Sequence, residues 1–168
     1  MTPVPGLVIR DATPGDVPLM LTFIRELAEF EKLLDQVTAT EATLLESLFG
    51  QSPAAKALIA EHSGAAVGHA IFFFSYSTFH AARGLYLEDL YVLPAARSKG
   101  IGRELMRALA HRALELGCRR FEWSVLTWNT RAIAFYRTLG AQPNMGWQVE
   151  RVTGDALVAL SQPPAQKD

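Results

Sequence analysis

The sequence predicts an α+β fold, and the order of its strand-like and helix-like segments carries that prediction. Three apolar runs of strand length follow one another in the middle of the chain with only short turns between them, which is typical of antiparallel strands. In the second half, helices and strands alternate, so strand–helix–strand units are expected there. The predicted order is β-α-α-β-β-β-α-β-α-β-β, with seven strands and four helices.

The first half opens with a short strand at residues 7–10, LVIR. The TPGD sequence that follows places a capping residue, a proline and an acid where a helix starts. This helix is predicted to span residues 17–31, because apolar residues recur there at helical spacing. Its charged residues are expected to face outward: Arg25, Glu26 and Glu29. Thr38 and Glu41 form a capping-box pattern, which predicts a second short helix ending near Gly50.

Three strands are predicted next, at residues 57–61, 66–76 and 84–93. The HSG segment between the first two indicates a hairpin turn. A helix is expected after Pro94, and Gly117 is expected to close it, since glycine tolerates the left-handed conformation found just beyond helix ends.

The remaining segments are a strand at residues 120–127, a helix and a final hairpin. Asn129 is a favourable N-cap for this helix, which is expected to run to Leu139. The hairpin is predicted to pair residues 147–152 with residues 156–160 across a Thr-Gly-Asp turn.

Size and composition favour a single globular domain. Of the 168 residues, 49% are hydrophobic and 20% are charged, and the net charge is −1. Such a balance gives no indication of a nucleic-acid-binding surface. We predict one domain over residues 1–168, with its core at about 7–160 and a flexible tail at 161–168.

The cysteine count and the apolar runs favour a cytoplasmic protein. The single cysteine, Cys118, cannot form an intrachain disulfide and is expected to be a buried structural thiol. The N-terminal MTPVPGLVIRD lacks the basic and apolar regions of a signal peptide, and no run approaches the roughly 18 apolar residues of a membrane span. The four histidines show no ligand spacing, so no metal is predicted.

The sequence ARSKGIGREL, residues 96–105, has the character of an anion-binding loop. Gly100 and Gly102 follow a strand and precede a helix, the setting in which backbone N–H groups and a helix N-terminus bind phosphate. A dinucleotide-binding loop would need a third glycine where Leu105 stands, and a nucleotide-hydrolase loop would need Gly-Lys-Ser/Thr. The loop fits neither type, and a plain strand-to-helix turn is the structural alternative.

The segment RSKGIG resembles the pyrophosphate loop of the GNAT N-acetyltransferases, whose pattern is Arg/Gln-x-x-Gly-x-Gly/Ala. The resemblance extends over nearly the whole chain, and FEKLLDQVTATEATL, YLEDLYV and WNTRAIAFYRTLGA are most similar to the spermidine/spermine and thialysine N-acetyltransferase branch. It implies the GNAT fold, with a mixed, mostly antiparallel sheet, and acetyl-CoA as cofactor. It also implies acetyl transfer to a primary amine of a small molecule: a diamine, a polyamine or a lysine-like amino acid.

The same resemblance assigns cofactor binding to three segments. Backbone groups of Leu90, Tyr91 and Val92 would face the acetyl and pantetheine end, where an N–H could support the oxyanion. The pyrophosphate would be held by the loop residues Arg97, Ser98, Lys99, Gly100, Ile101, Gly102 and Arg103. The set is completed by Asn129, Ala132 and Tyr136, although capping alone would explain an asparagine at position 129.

Two acidic residues inside an apolar strand are the leading candidates for the chemistry of the amine. A free alkyl amine has a pKa of about 10.4, so it arrives as an ammonium ion that must be bound and deprotonated. Glu88 and Asp89 lie where an unpaired carboxylate would be costly. Strict alternation would point them to opposite faces unless a bulge intervenes. The resemblance favours Glu88 as the catalytic group, and pairing with a basic neighbour is the alternative for each.

The resemblance also assigns a general acid and further amine contacts. Tyr136 corresponds to the family's acid, whose phenol would protonate the CoA thiolate; a core tyrosine is the alternative. Phe30 and Glu31 correspond to amine-contacting positions, although Glu31 could equally cap a surface turn. Trp128 and Trp147 could wall an apolar slot or lie over a cationic amine, or they could belong to the core.

One departure from the polyamine enzymes bears on the substrate. Those enzymes carry acidic residues just before a Gly-Trp pair, whereas this chain has Asn144 and Met145 there. A thinner acidic cleft makes a lysine-like amino acid a fair competitor to a long polyamine. The rival functions are acetylation of a peptide or protein N-terminus and a CoA-binding sensor without catalysis. A homodimer is expected from the resemblance alone.

Overall fold

The computed structural model describes residues 4–163. These residues fall into two compact units, which divide between Asn129 and Thr130. Of the tail predicted to be flexible, residues 164–168 lie outside the described residues, and Ser161 is the last residue of a helix. The assignment of the whole chain to one domain remains a prediction.

The first unit contains a five-stranded sheet whose strands lie in sequence order. The strands are β1 (Leu7–Asp11), β2 (Lys56–His62), β3 (Ala65–Ser77), β4 (Ala82–Val92) and β5 (Phe121–Trp123). Neighbouring strands are antiparallel except β4 and β5, which pair in parallel. The helices are α1 (Val17–Glu31), α2 (Glu41–Phe49) and α3 (Ile101–Glu115). This mixed, mostly antiparallel sheet with its helices confirms the predicted α+β fold class.

Helices α1 and α3 cover opposite faces of the sheet. Phe23 of α1 contacts the ring of His69 on β3, with 5.4 Å between ring centroids. The guanidinium of Arg112 on α3 lies 5.6 Å from the ring centroid of Phe72, three residues further along β3 and therefore on the other face. Residues 57–60 of β2 are all buried, as expected of a strand covered on both faces. Each large side chain buried in this core contributes roughly 1.5–3 kcal/mol.

Left-handed residues close α1 and α3 in the first unit. Gly117 follows α3 with φ 69°, and the next N–H, that of Cys118, donates to the carbonyl of Ala113 at 2.8 Å. This confirms the predicted end of α3. Lys32 has φ 62° at the corresponding position after α1, where it accepts a conformation that glycine usually takes.

Helix α2 begins with a different capping residue from the predicted one. The sequence pattern placed the capping box at Thr38 and Glu41, but Thr40 is the N-cap, and its hydroxyl accepts the N–H of Thr43 at 3.2 Å. Thr40 directly precedes the first helical residue and has extended backbone, so its side chain reaches the free N–H groups of the first turn.

The second unit contains α4 (Thr130–Arg137) and α5 (Gly154–Ser161). The predicted final hairpin is wrong, because residues 147–152 belong to no strand and residues 156–160 lie within α5. The run ALVAL is apolar throughout, so its pattern suits a strand and a helix equally. The helix-forming alanines and leucines of this run favour the helix.

The described residues therefore form five strands where the sequence predicts seven. The two strands of the final hairpin are absent from residues 4–163, and the strand predicted at 120–127 is shortened to β5. The difference leaves the order of the preceding elements unchanged. None of the helices within residues 4–163 is both long enough and apolar enough to cross a membrane.

Candidate active site

A β-bulge in β4 determines which way the acidic residues of this strand face. Asp89 pairs with Ile71 and Leu87 pairs with Phe72, so two successive residues of β3 face residues of β4 that are two apart, with Glu88 as the extra residue. Cross-strand partners share a face, so Leu87 lies with Phe72 on the α3 side and Asp89 lies with Ile71 on the α1 side. The sequence analysis named a β-bulge as the alternative to strict alternation, and the structure contains one. Strict alternation of faces therefore does not hold at Glu88.

Three carboxylates from two elements meet beside this bulge. Burial and the charges of Glu88 and Glu31 raise the pKa of Asp89 to about 6. Burial also raises the pKa of Glu31, the last residue of α1. Glu88 is exposed and Asp89 is partly buried. The sequence identified each of these residues separately, and the fold brings their charges together.

An aromatic wall formed by Phe30 and Trp128 stands at the C-terminal end of α1, the helix that also supplies Glu31. Phe30 directly precedes Glu31, and its ring centroid lies 5.7 Å from that of Trp128. The two side chains are about half exposed, at 46% and 49%. Large aromatic rings left open to solvent beside acidic groups are suited to a methylene chain that ends in an ammonium group. Both residues were predicted to contact the amine, and they lie in contact with each other.

Tyr91 connects β4 to α1 in a way that the sequence did not predict. Its hydroxyl donates a hydrogen bond to the carboxylate of Glu26. Burial raises the pKa of Tyr91 to about 12, Glu26 adds to the rise, and Arg97 opposes it. The prediction that Glu26 faces outward is therefore wrong, because the Tyr91 hydroxyl lies within reach of its carboxylate. No pattern within α1 signals this bond, since the partners are 65 positions apart.

The side chain of Arg97 turns from the glycine loop toward α1. Its Nε donates to the carbonyl of Val92 at 2.9 Å. The guanidinium carbon lies 5.7 Å from the ring centroid of Tyr91 and 5.9 Å from that of Phe30. The sequence assigned Arg97 to cofactor binding only, and its aromatic contacts are an additional feature.

The glycine loop has the chemistry that a pyrophosphate requires. Ser98 and Gly100 both have left-handed backbone, with φ 64° and 87°, and Gly100 is the N-cap of α3. The first N–H groups of any helix have no acceptor within the helix, so the N-terminus of α3 offers donors to an anion. Ile101 is 1% exposed and anchors the loop in the core. Lys99 is exposed and adds positive charge, so the predicted loop residues fit an anionic cofactor.

The second unit holds two further predicted residues. Ala132 and Tyr136 lie one turn apart on α4 and so share a face of that helix. The rings of Tyr136 and Phe135 are 5.3 Å apart, and the Tyr136 carbonyl accepts the N–H of Ala141 at 3.2 Å. Asn129, at the end of the first unit, donates its N–H to the carbonyl of Leu126 at 2.9 Å. The catalytic role of Tyr136 remains a prediction.

His69 is a buried polar residue that the sequence analysis did not single out. It is 0% exposed, and neither ring nitrogen has a hydrogen-bond partner in the described part of the chain. Burial lowers its pKa to about 3, so the imidazole stays neutral. Its ring lies 5.4 Å from Phe23 and 6.4 Å from Tyr91, on β3, the strand that pairs with the one that carries Asp89.

Two further candidates from the sequence are Cys118 and Trp147. Cys118 is buried, as predicted for a structural thiol. Trp147 is 75% exposed in the irregular segment of the second unit, so it does not belong to a core. Residues 4–163 contain no group of three or more histidine, cysteine, aspartate or glutamate side chains that could hold a metal ion.

Comparison with known proteins places this architecture in a family. The model of the acetyltransferase (GNAT) family matches residues 22–141. The thialysine N-epsilon-acetyltransferase of Sus scrofa is 40% identical over 93% of this chain and 98% of its own length. An L-ornithine N5-acetyltransferase of Arabidopsis thaliana is 32% identical over 90% of this chain and 86% of its own length.

A solved structure agrees with the fold. An integron cassette protein from the mobile metagenome of V. cholerae superposes with a TM-score of 0.79 at 25% identity, over 94% of this chain and 99% of that protein. These findings confirm the resemblance to the branch that includes the thialysine enzymes. With its glycine loop, its sheet and its relatives in agreement, the chain belongs to the GNAT family of acetyltransferases.

Proposed function

We propose that the protein transfers an acetyl group from acetyl-CoA directly to a primary amine of a small molecule, without a covalent enzyme intermediate. The observation that carries this proposal is the cluster of Glu31, Glu88 and Asp89 beside the exposed rings of Phe30 and Trp128. A lysine-like amino acid or a short diamine suits this site better than a long polyamine, because Asn144 and Met145 stand where the polyamine enzymes carry acidic residues. The names of the thialysine and ornithine enzymes support the same substrate class.

The carboxylates bind the ammonium group and take up its proton. An alkyl ammonium ion has a pKa of about 10.4, so a negative cluster is needed to attract it, and a carboxylate of raised pKa is a better acceptor of its proton. Asp89, with a pKa of about 6, has that property, while Glu88 is exposed at the bulge where an amine can approach. We assign binding and proton transfer to this pair together, directly or through water.

The glycine loop holds the cofactor. Acetyl-CoA supplies an acetyl group already activated as a thioester. Lys99, Gly100 and the first N–H groups of α3 bind its pyrophosphate, while backbone groups of Leu90 to Val92 orient its acetyl end. Tyr136 holds a proton at its phenolic oxygen for the departing thiolate. These cofactor and acid roles rest on the family resemblance together with the loop geometry.

An amine panel tests the proposal. Release of thiol from acetyl-CoA is measured with thialysine, L-ornithine, L-lysine, putrescine, spermidine and a short peptide with a free N-terminus. We expect the fastest release with the amino-acid side-chain amines. Turnover confined to the peptide would make the protein an N-terminal acetyltransferase. CoA binding without turnover of any amine would make it a sensor.

Two further properties are proposed at the level of the protein. A homodimer is supported by large apolar side chains that stand exposed in the second unit, among them Trp147, Val149 and Leu160.

A cytoplasmic location is supported by the single, unpaired cysteine.

A further inference from the structure

Arg97 contacts both the cofactor loop and the aromatic wall of the amine site. Its backbone belongs to the loop, two residues before Lys99. Its guanidinium lies over the rings of Tyr91 and Phe30, at 5.7 and 5.9 Å from their centroids. Its Nε also donates a hydrogen bond to the Val92 carbonyl at 2.9 Å, at the end of β4. One side chain therefore spans two sites that the sequence treats as separate.

The contacts of Arg97 continue into α1. The Tyr91 hydroxyl, beside the guanidinium, donates to Glu26, and Phe30 lies one turn further along the same helix. A planar guanidinium held at its Nε and stacked on rings has little freedom to move. The last turn of α1, which carries Phe30 and Glu31, is thus connected to the loop through Tyr91 and Arg97.

The charge of Arg97 excludes a direct role in holding the ammonium group of the amine. A guanidinium repels an ammonium ion, and the carboxylates of Glu31, Glu88 and Asp89 supply the attraction instead. What Arg97 can do is fix the ring of Phe30, against which the methylene chain of the amine lies. It therefore acts through its neighbours and is a positioning residue.

We propose that Arg97 couples the two substrate sites, so that CoA and the amine each strengthen the binding of the other. This inference rests on the proposed function. An anion that binds the loop fixes the backbone of Arg97, and the guanidinium then holds Phe30 in place for the amine. By thermodynamic linkage, an amine that packs against Phe30 favours the loop conformation that binds CoA to the same degree.

Calorimetry tests the coupling as a ratio of dissociation constants. The Kd of CoA is measured without amine and with saturating thialysine or L-ornithine. For the wild-type protein we expect the amine to lower this Kd by about fivefold or more. Arg97→Met should reduce the ratio to near one, and Arg97→Lys should restore little of it, since an ammonium lacks the planar stacking surface.

Two variants separate coupling from simple loss of charge. Lys99→Met removes a cation from the same loop without touching Phe30 or Tyr91, so it should weaken CoA binding but keep the ratio. Phe30→Leu removes the ring at the other end of the contact, so it should keep the affinity for CoA but lower the ratio. A ratio that stays high in Arg97→Met or Phe30→Leu would overturn the inference.

Amide hydrogen exchange gives a readout that needs no amine. Saturation with CoA should slow exchange in a peptide spanning residues 27–33 of the wild-type protein, and this protection should be lost in Arg97→Met. Unchanged exchange there, with CoA bound, would overturn the coupling and leave the proposed function standing. Failure of the wild-type protein to bind CoA would overturn the proposed function and this inference with it.

Discussion

Asp89 sets the expected pH dependence at the scale of single residues. Its pKa of about 6 lies above its ordinary value because of burial and of the charges on Glu88 and Glu31. As the pH falls through about 6, Asp89 gains a proton and can no longer accept one from the amine. The acid limb of kcat/KM for the amine should therefore fall near pH 6.

Removing a neighbouring charge should move that limb. Glu31→Gln deletes one of the negative charges that raise the pKa of Asp89, so the limb should shift to lower pH. Glu46→Gln on α2 is the matched control, because that carboxylate does not act on Asp89. If the acid limb of the kcat/KM profile lies at the same pH in Glu31→Gln as in the wild-type protein, the role of Asp89 as proton acceptor is excluded. The measurement is a pH profile of kcat/KM at saturating acetyl-CoA.

Tyr136 is tested by removal of a single oxygen. Tyr136→Phe should lower kcat by about 10² or more, because general acid catalysis typically contributes at least that factor, while the Kd of CoA stays close to the wild-type value. Tyr76→Phe, whose side chain is 63% exposed at the end of β3, serves as the control and should retain kcat. Steady-state kinetics and calorimetry give the two quantities, and an unchanged kcat in Tyr136→Phe would exclude the acid role.

His69 should weaken the fold at acid pH. Its pKa is about 3 in the folded protein and about 6.5 in an unfolded chain, so between these values the unfolded state binds more protons. The free energy of unfolding should therefore decrease as the pH falls below 6.5, by about 2 kcal/mol at pH 5 from this group.

Urea unfolding of His69→Leu at pH 7.5 and pH 5.0 measures this contribution. At pH 7.5 the variant should be as stable as the wild-type protein or more stable, because it removes two unpaired buried nitrogens. The difference in the free energy of unfolding between His69→Leu and the wild-type protein should increase by about 2 kcal/mol at pH 5.0. His80→Leu, at an exposed position between β3 and β4, should leave the pH dependence unaltered. Equal pH slopes in wild type and His69→Leu would contradict the expectation.

At the scale of elements, the start of α3 depends on its left-handed glycine. Gly100 has φ 87°, and a Cβ at this position would lie 3.2 Å from a methyl carbon of Val4. Gly100→Ala should cost roughly 1–2 kcal/mol in backbone strain and should weaken CoA binding, because the loop cannot keep its conformation.

The turn between β2 and β3 provides the matched control for Gly100. Gly64 has a similar φ of 80°, but a Cβ at this position would meet no atom within 4 Å, and Gly64 is remote in sequence from the loop. Gly64→Ala should therefore carry a comparable loss of stability without a loss of CoA affinity. Thermal unfolding and calorimetry of the two variants separate these effects, and equal CoA affinities would count against the loop as the anion site.

The elements differ in how far the sequence could predict them. Helix α3 and its closing Gly117 follow from local signals, namely apolar spacing and a residue suited to positive φ. The final hairpin does not, because ALVAL satisfies a strand and a helix alike, so its pattern alone does not decide between them. The bulge at Glu88 also has no local signature, since it is defined by pairing with β3.

The same distinction holds for the candidate site. Glu88, Asp89 and the glycine loop stand out by their positions in the sequence, and the family resemblance supplies their roles. The meeting of Glu31 with Asp89, the bond between Tyr91 and Glu26, and the burial of His69 depend on contacts between distant parts of the chain. Sequence patterns name the residues, but tertiary structure decides which of them act together.

At the scale of the whole molecule, the exposed apolar residues of the second unit predict self-association. Light scattering should give a mass of about twice the chain mass of 18.5 kDa. Leu160 is 71% exposed. Leu160→Glu should shift the protein toward the single-chain mass, because it places a charge among these exposed apolar residues. Leu114→Glu, at a 78% exposed leucine of α3, is the control and should leave the mass unchanged. A single-chain mass for the wild-type protein would contradict the proposed dimer.

The bulge in β4 also limits how this site can change during evolution. The extra residue Glu88 reverses the alternation of faces along β4. Odd-numbered residues before Glu88 therefore face α3, whereas odd-numbered residues after it face α1. Substitutions at positions 88 and 89 change the charge of the cleft without changing the pairing between β3 and β4. Losing Glu88 would restore regular pairing with Asp89 still opposite Ile71 on the α1 side, but it would remove the exposed carboxylate at the bulge. The charge of this cleft can therefore change by replacement of a residue, whereas the loss of a residue removes one of its carboxylate positions.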